Sequence, residues 1–280
     1  MKINKDSLSA RIQKISKEKE IDSTLIYSRF FFDSFLIRLS KSQYADKFIL
    51  KGGLLLSSVL GIENRATIDM DFLLKKINMN RESVIGIIAD ICTQPTDDDV
   101  FFEYLGCSTI KKDDAYGGFS ITLEGRFQNI RQQFDIDLAV GDTIYPSNLT
   151  LNHECLITKE HVNLKCYSME SIMAEKMQAF LNLRHLNSRS KDIYDLYILE
   201  KLELNDENKD AFKTAFKLTC ENRAFKITKQ EALTIFEEYL TRVGPRARWE
   251  AYSKKAKYSC SISFDEAMAS VKKLIMMFYE

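Results

Sequence analysis

The stretch that decides the fold runs from Lys51-Gly52-Gly53 to Arg65-Ala66-Thr67-Ile68-Asp69-Met70-Asp71. Residues 48–50, before the glycine pair, form a short apolar run with the composition of a strand. Residues 54–60, after the pair, have the composition of a short helix that ends at Gly61. The pattern predicts a strand, a glycine turn and a helix, followed by a second strand.

Residues 67–74 alternate in polarity as a half-buried strand does. One side of the strand would carry Ile68, Met70 and Phe72, and the other Thr67, Asp69 and Asp71. Two carboxylates this close repel each other and are stable mainly when a cation lies between them. Mg²⁺ prefers such oxygen ligands. An isolated Asp-x-Asp is also common on a solvated strand, so the pair alone leaves both interpretations open.

The surroundings of this pair favour the cation site. Gly52 and Gly53 would let the backbone approach a phosphate at a helix N-terminus, although an ordinary glycine turn has the same sequence. A second candidate strand places Asp135 and Asp137 on one face. Strand-borne carboxylates beside a glycine turn describe a two-metal phosphoryl-transfer site, with Asp135 and Asp137 as alternatives for the third carboxylate.

The remaining pattern predicts an α+β protein. We expect a mixed sheet flanked by helices over residues 1–155, and a helical bundle over residues 156–280. The helices are predicted at 6–20, 22–40, 80–92, 169–184, 189–199, 208–222, 229–242 and 264–278. Further strands are predicted at 100–110, 117–126 and 131–140.

Composition narrows the functional class. Of the 280 residues, 45% are apolar, and 40 basic residues balance 40 acidic residues. The chain therefore has no net positive charge that would attract nucleic acid, and any contact with nucleic acid must come from a local basic patch. Its six cysteines lack zinc spacing and its three histidines add no ligand cluster, so we expect six reduced thiols. Without a signal-like start or a membrane-length apolar run, we expect a cytoplasmic protein.

The second half contains a lysine in an unusual place. Ser168 is a plausible N-cap for the helix that follows it. Lys176 interrupts the apolar stripe of that helix, where an unpaired charge is costly. Snorkelling to the surface or a salt bridge within the fold would explain it as well as triphosphate binding does.

The next helix begins with a charged cluster. Asp192 and Asp195 are three residues apart and therefore neighbours on one helical face, with Arg189 and Lys191 at its start. Basic residues at a helix start oppose the helix dipole, which indicates a role beyond folding, although a solvated helix end is the alternative.

At this point the chain resembles the AbiEii/AbiGii toxin family of nucleotidyltransferases, relatives of the DNA polymerase β superfamily. The matching stretches are RFFFDSFLIRL (29–39), FILKGGLLL (48–56), RATIDMDFL (65–73), FDIDLAVGD (134–142), YSMESIMAEKMQAF (167–180) and RSKDIYDLYIL (189–199). AEK with the later R-x-KD-x-x-DL is the most specific pair. Two features depart from the wider superfamily: Gly53 stands where a serine is common, and the spacer to Asp69 is long.

The resemblance implies a fold, a reaction and partners. It implies a polymerase β-like nucleotidyltransferase domain and a toxin of a toxin–antitoxin or phage-abortive-infection module, paired with a cognate antitoxin. The reaction would use a nucleoside triphosphate and Mg²⁺, with an RNA acceptor such as the tRNA 3′ end. Catalysis is implied for Asp69, Asp71, Lys176 and Asp195, and metal binding for Asp69, Asp71 and Asp137. Nucleotide binding is implied for Gly52, Gly53, Arg65, Thr67, Lys176, Lys191 and Asp192.

Three alternatives remain open from sequence. The chain could be a nucleotide-binding regulator or antitoxin-binding module without catalysis, or it could transfer the nucleotide to protein. In residues 205–280, an RNA-facing patch of Arg246, Arg248, Trp249, Lys254, Lys255 and Lys257 competes with a solvated surface and with Trp249 as a core anchor.

Overall fold

In the computed structural model, which describes residues 4–77, 80–110 and 117–279 apart from the side chain of His185, the alternating segments form one mixed sheet. Over the described residues its seven strands lie in the order β3-β4-β5-β2-β1-β7-β6. They are β1 (Phe48–Lys51), β2 (Asp69–Leu74), β3 (Val100–Ile110), β4 (Gly118–Phe127), β5 (Ile130–Ala139), β6 (Leu149–Glu154) and β7 (His161–Cys166). The β2–β5 and β1–β7 pairs are parallel, and the other pairs are antiparallel.

The chain divides into two units, which we describe separately. Unit 1 consists of Met1–Gly141 and Asn148–Cys166, and unit 2 of Asp142–Ser147 and Tyr167–Glu280. Unit 1 extends beyond residue 155, where the sequence predicts the boundary, because the β6–β7 hairpin pairs with β1 through Leu50 and Cys166.

One buried helix covers the apolar face of the sheet in unit 1. The helices of this unit are α1 (Lys5–Lys19), α2 (Ser23–Lys41), α3 (Gly52–Leu60) and α4 (Arg81–Cys92). In α2, the ring of Phe35 lies 6.4 Å from that of Phe72 on β2, and the ring of Phe32 lies 5.2 Å from that of Phe134 on β5. Because strand side chains alternate between faces, Asp69, one residue out of step with Met70 and Phe72, belongs to the opposite face.

The elements agree with the predicted ones except at particular places. Strand β2 begins at Asp69 rather than at residue 67, and Ile68 is 58% exposed instead of buried. The β6–β7 hairpin was not predicted, because β6 is LTLNHE and buries one of its six residues. Its order comes from pairing with distant strands rather than from its own periodicity.

Unit 2 is helical, as expected. Its helices are α5 (Met169–Leu183), α6 (Ser190–Leu202), α7 (Lys209–Asn222), α8 (Lys229–Thr241), α9 (Val243–Lys255) and α10 (Phe264–Phe278). Helix α9 was not predicted, because Gly244 and Pro245 suggest a break; both lie in its first turn, where proline removes no helical hydrogen bond. Trp249 in α9 is a core residue, 2% exposed, and its indole N–H donates to Ile262 O at 3.1 Å.

We expect Gly125→Ala to destabilise unit 1 by about 1–3 kcal/mol, because the added methyl overpacks the core. A Cβ at Gly125 in β4 would lie 2.4 Å from Cδ1 of the fully buried Phe31. Gly106→Ala in β3 is the control, since nothing lies within 4 Å of its Cβ position. Urea unfolding followed by circular dichroism measures both variants. Equal midpoints would contradict this packing of α2 against β4.

Candidate functional site in unit 1 and a charged cluster in unit 2

Two neighbouring strands bring four carboxylates to one face of the sheet. Strands β2 and β5 are parallel and in register, so that Asp69 pairs with Asp135 and Asp71 pairs with Asp137. Paired residues in a sheet point to the same side, and residues two apart on one strand do so as well. All four side chains are partly exposed, whereas Met70 between the first two is fully buried. We call this surface the carboxylate face.

Each of the two carboxylates on β5 accepts a hydrogen bond from a hydroxyl group on β4. Ser120 Oγ donates to Asp137 Oδ1 at 2.6 Å, and Thr122 Oγ1 donates to Asp135 Oδ1 at 2.6 Å. Both hydroxyls come from β4, which pairs with β5 in antiparallel register. These two hydroxyl contacts therefore do not distinguish the two candidates for the third carboxylate. Their positions differ, since Asp137 lies beside Asp71 and Asp135 beside Asp69.

Gly52 makes room for the Asp71 side chain. Helix α3 begins at Gly52, whose φ of +64° lies in the left-handed region that L side chains rarely adopt. A Cβ at this position would lie 2.0 Å from Asp71 Oδ2. The glycine therefore brings the Asp71 carboxylate against the first turn of α3, where backbone N–H groups lack helical partners.

Gly53 makes a similar contact with the segment before β2. A Cβ at Gly53 would lie 2.8 Å from Thr67 Oγ1 and 3.3 Å from Arg65 Nη2. The Thr67 hydroxyl thus occupies space that a serine side chain at residue 53 would enter. Arg65 is buried and donates to Ala66 O. The glycine pair and the Arg-x-Thr motif of the sequence are therefore parts of one packed turn.

Lys51 is a residue of this face that the sequence analysis missed. It is 9% exposed and lies opposite Asp71 in the antiparallel β1–β2 pairing. Cross-strand partners have Cβ atoms about 5 Å apart, so a lysine here lowers the repulsion among the carboxylates. Alternation along β1 puts Lys51 on one side and Leu50 on the other, but only the register with β2 reveals Asp71 as its partner.

In unit 2, Lys176 forms a buried ion-pair cluster with two aspartates. Its Nζ lies 2.6 Å from Asp192 Oδ1 and 2.7 Å from Asp195 Oδ2. The side chain of Asp195 is fully buried, and those of Asp192 and Lys176 are 10% and 14% exposed. A salt bridge within the fold, one of the explanations for a lysine in this apolar stripe, is therefore present. Ser168 caps α5 as predicted, accepting from Ser171 N at 3.0 Å.

The start of α6 keeps its basic residues at the surface. Arg189 and Lys191 are exposed, and Arg189 Nη1 lies 3.9 Å from Asp192 Oδ2. The predicted site residues thus fall into two groups. Unit 1 brings together Gly52, Gly53, Arg65, Thr67, Asp69, Asp71 and Asp137. Unit 2 brings together Lys176, Asp192 and Asp195, and Lys191 is exposed beside Asp192 in the sequence.

A further cluster in unit 1 corrects the expectation that no histidine joins a ligand cluster. Asp33, His153 and Cys155 are buried with candidate ligand atoms within 4.8 Å of one another, close enough for a metal ion. The hairpin β6–β7 brings His153 and Cys155 to α2, which sequence spacing does not reveal. The six cysteines are free thiols; the sequence predicts that most are buried, but only Cys155 and Cys166 are.

The contacts of this cluster favour a buried network of hydrogen bonds and ion pairs over a metal site. The Asp33 carboxylate already accepts from Arg29 Nε at 2.7 Å, from Leu156 N at 2.6 Å and from His153 Nε2 at 2.8 Å. Burial, with Asp33 nearby, raises the pKa of the Cys155 thiol to about 12. The positive charge of the nearby Arg29 guanidinium would also repel a metal cation bound here.

The same contacts set the charge of Asp33. Burial raises the pKa of Asp33, but Arg29 and His153 together lower it by more. The net pKa therefore lies below its ordinary value. A lowered folded-state pKa stabilises the fold above the ordinary carboxyl pKa, and this contribution is lost as the pH falls through the folded value.

Comparison with known proteins identifies the family. The sequence predicts strand-borne carboxylates beside a glycine-led helix, and the structure contains this arrangement. The family model of the nucleotidyl transferase AbiEii toxin, type IV toxin–antitoxin system, matches residues 34–270. The chain therefore belongs to the AbiEii nucleotidyltransferase toxin family, which confirms the resemblance. No curated protein matches the chain.

Two solved structures are similar to this chain. A candidate nucleotidyltransferase from H. pylori is 15% identical, with 92% of this chain and 99% of that chain covered and a TM-score of 0.50. JHP933 from Helicobacter pylori is 16% identical, with 90% and 94% covered and a TM-score of 0.49. The predicted fold class is confirmed. No helix among the described residues is long and apolar enough to span a bilayer.

We expect Lys176→Met to destabilise the protein by about 3–5 kcal/mol, because it leaves Asp192 and Asp195 buried without their cation. Lys191→Met is the matched control, since Lys191 is exposed one residue before Asp192. Thermal unfolding of both variants measures the difference. Adding Asp195→Asn to Lys176→Met should restore part of the loss. Equal stability of the two single variants would contradict the ion-pair cluster.

Proposed function

We propose that this protein is the toxin of a toxin–antitoxin pair and transfers a nucleotide from a nucleoside triphosphate to an RNA hydroxyl, with the tRNA 3′ end as the favoured acceptor. The observation that carries the proposal is the in-register pairing of Asp69 and Asp71 with Asp135 and Asp137 beside the start of α3. The family supports the toxin role and the triphosphate substrate. A cognate antitoxin, abortive infection of phage-infected cells and action in the cytoplasm belong to the same proposal.

Magnesium fits the donors of the carboxylate face. Asp69, Asp71 and Asp137 offer hard oxygen ligands, and the missing Cβ of Gly52 leaves space that the Asp71 carboxylate occupies. Mg²⁺ bound there, as one ion or two, would lower the pKa of the attacking hydroxyl and offset charge on the pyrophosphate. The N–H groups at the start of α3 suit a phosphate, with Gly52 and Gly53 permitting its approach. Arg65 and Thr67 would position that turn.

The residues in unit 2 complete the proposal. Lys176 is assigned to the triphosphate, and Asp195, with which it pairs, to catalysis. Their close contact fixes the position of the ammonium group, which suits a lysine that contacts phosphate. Lys191 and Asp192, at the start of α6, are assigned to nucleotide binding.

A transfer assay tests the reaction, the nucleotide and the acceptor together. Each of the four labelled nucleoside triphosphates is incubated with purified protein, Mg²⁺ and total tRNA. We expect label on tRNA from at least one nucleotide, and none after chelation of the metal with EDTA. Asp69→Asn and Asp71→Asn should abolish the label while leaving the protein folded. Folded protein that transfers no nucleotide to RNA would overturn the proposal, and label on a protein would replace its acceptor.

A matched pair of substitutions distinguishes the third carboxylate. We expect Asp137→Asn to lower the transfer rate about 100-fold or more, because a ligand of the magnesium site is worth several kcal/mol in the transition state. Asp135→Asn should leave most of the transfer rate, although each aspartate accepts a hydrogen bond at 2.6 Å from its own hydroxyl group on β4. Initial transfer rates at saturating triphosphate measure both variants. The reverse order of effects would assign the third carboxylate to Asp135.

A further inference from the structure

The segment from α9 to the turn after it concentrates positive charge. Residues 242–257 contain six basic residues and one acidic residue, Glu250, in a chain whose 40 basic and 40 acidic residues balance. Such a local excess is the kind of patch that a protein without net charge needs to hold a polyanion.

Two of these basic residues are used within the fold. Arg246 forms a two-pronged pair with Asp265, at 3.1 and 2.6 Å, and its guanidinium lies 4.9 Å from the centre of the Phe264 ring. Arg248 Nη2 donates to Asn187 O at 3.2 Å. These contacts anchor α9 and leave its charge excess to other residues.

Four basic residues remain. Arg242 precedes α9, and Lys254, Lys255 and Lys257 lie at and just after its end; we call these three lysines the lysine cluster. All three are exposed, and within the described part of the chain their ammonium groups form no ion pair of 4.0 Å or less. Lysines that stabilise a fold have a carboxylate partner or cover apolar surface with their stems. Three solvated charges in four residues have no such explanation.

The segment that carries the lysine cluster packs against α6 within unit 2. The ring of Tyr194 on α6 lies 5.0 Å from that of Tyr258 and 6.3 Å from that of Tyr252, residues that flank the cluster. Lys191 precedes Tyr194 by three residues and therefore lies one helical turn away on the same side of α6. The segment that carries the cluster therefore packs against α6 about one helical turn from its predicted nucleotide-binding start.

We propose that the lysine cluster binds the phosphate backbone of the RNA acceptor. This inference rests on the proposed function, since it supplies the grip on RNA that transfer to an RNA hydroxyl requires. Nucleic-acid phosphates are bound by lysine and arginine side chains without base recognition. Protein–protein interfaces, in contrast, are depleted in lysine. The charge and the residue type therefore favour RNA over an acidic protein surface.

A binding assay without triphosphate tests the lysine cluster separately from catalysis. The triple variant Lys254→Glu, Lys255→Glu, Lys257→Glu is compared with Lys14→Glu, Lys17→Glu, Lys41→Glu, which makes the same change in net charge at exposed lysines of unit 1. The probes are total tRNA and a polyuridine oligomer, and filter binding is measured between about 50 and 200 mM salt, the range over which phosphate contacts weaken strongly.

We expect the first variant to bind tRNA at least tenfold more weakly than wild type and to lose about two units of salt slope, since each backbone contact contributes about 0.7. The control variant should change both quantities little. If the Glu variant is unfolded, Lys→Gln at the same three positions replaces it, with a smaller loss in the same direction. Unchanged binding, or equal loss in the control, overturns the inference.

The outcomes separate this inference from the proposed function. Wild-type protein that labels tRNA while the triple variant binds it normally would overturn the lysine cluster and leave the function standing. Wild-type protein that binds tRNA through the cluster but transfers nothing would support the cluster and overturn the function. A variant that keeps RNA binding but loses its antitoxin would reassign the cluster to an acidic protein partner and overturn the inference.

Discussion

The in-register parallel pairing of β2 with β5 is the constraint on which the rest of unit 1 depends. Side chains alternate along a strand, so one register sends Asp69 and Asp71 to one face and Met70 and Phe72 to the other. A slip by one residue would reverse every side chain and bury the carboxylates against α2. The aromatic contacts of Phe32 and Phe35 with the sheet therefore hold the register as well as the core.

The parts of the molecule that were predictable from sequence are local. Alternation over residues 69–74, the Ser168 cap and the neighbouring Asp192 and Asp195 each depend on spacing within a few residues. Helix α3 begins two residues earlier than predicted, because Gly52 can begin a helix with a positive φ, and β2 begins two residues later than predicted. The family and the fold class followed from these motifs and were confirmed. The residue roles stay predictions.

The features that were not predictable join distant parts of the chain. The role of Lys51 follows from its position opposite Asp71 in the β1–β2 pairing. The β6–β7 hairpin is likewise placed by its pairing with β1. The hydrogen bond between Asp33 and His153 spans 120 residues, and no periodic pattern links them. For Lys176, local periodicity revealed a charge in an apolar stripe, but only the packing of α5 on α6 identified its partners.

The central claim is that the carboxylate face holds the divalent cation that nucleotide transfer requires. Anomalous diffraction from crystals soaked with Mn²⁺ and a non-hydrolysable nucleoside triphosphate tests it most directly. We expect an anomalous peak about 2 Å from carboxylate oxygens of Asp69 and Asp71, the distance at which small hard cations bind oxygen. A peak at Asp33, His153 and Cys155 instead, or triphosphate bound with no metal at Asp69 and Asp71, would contradict the account.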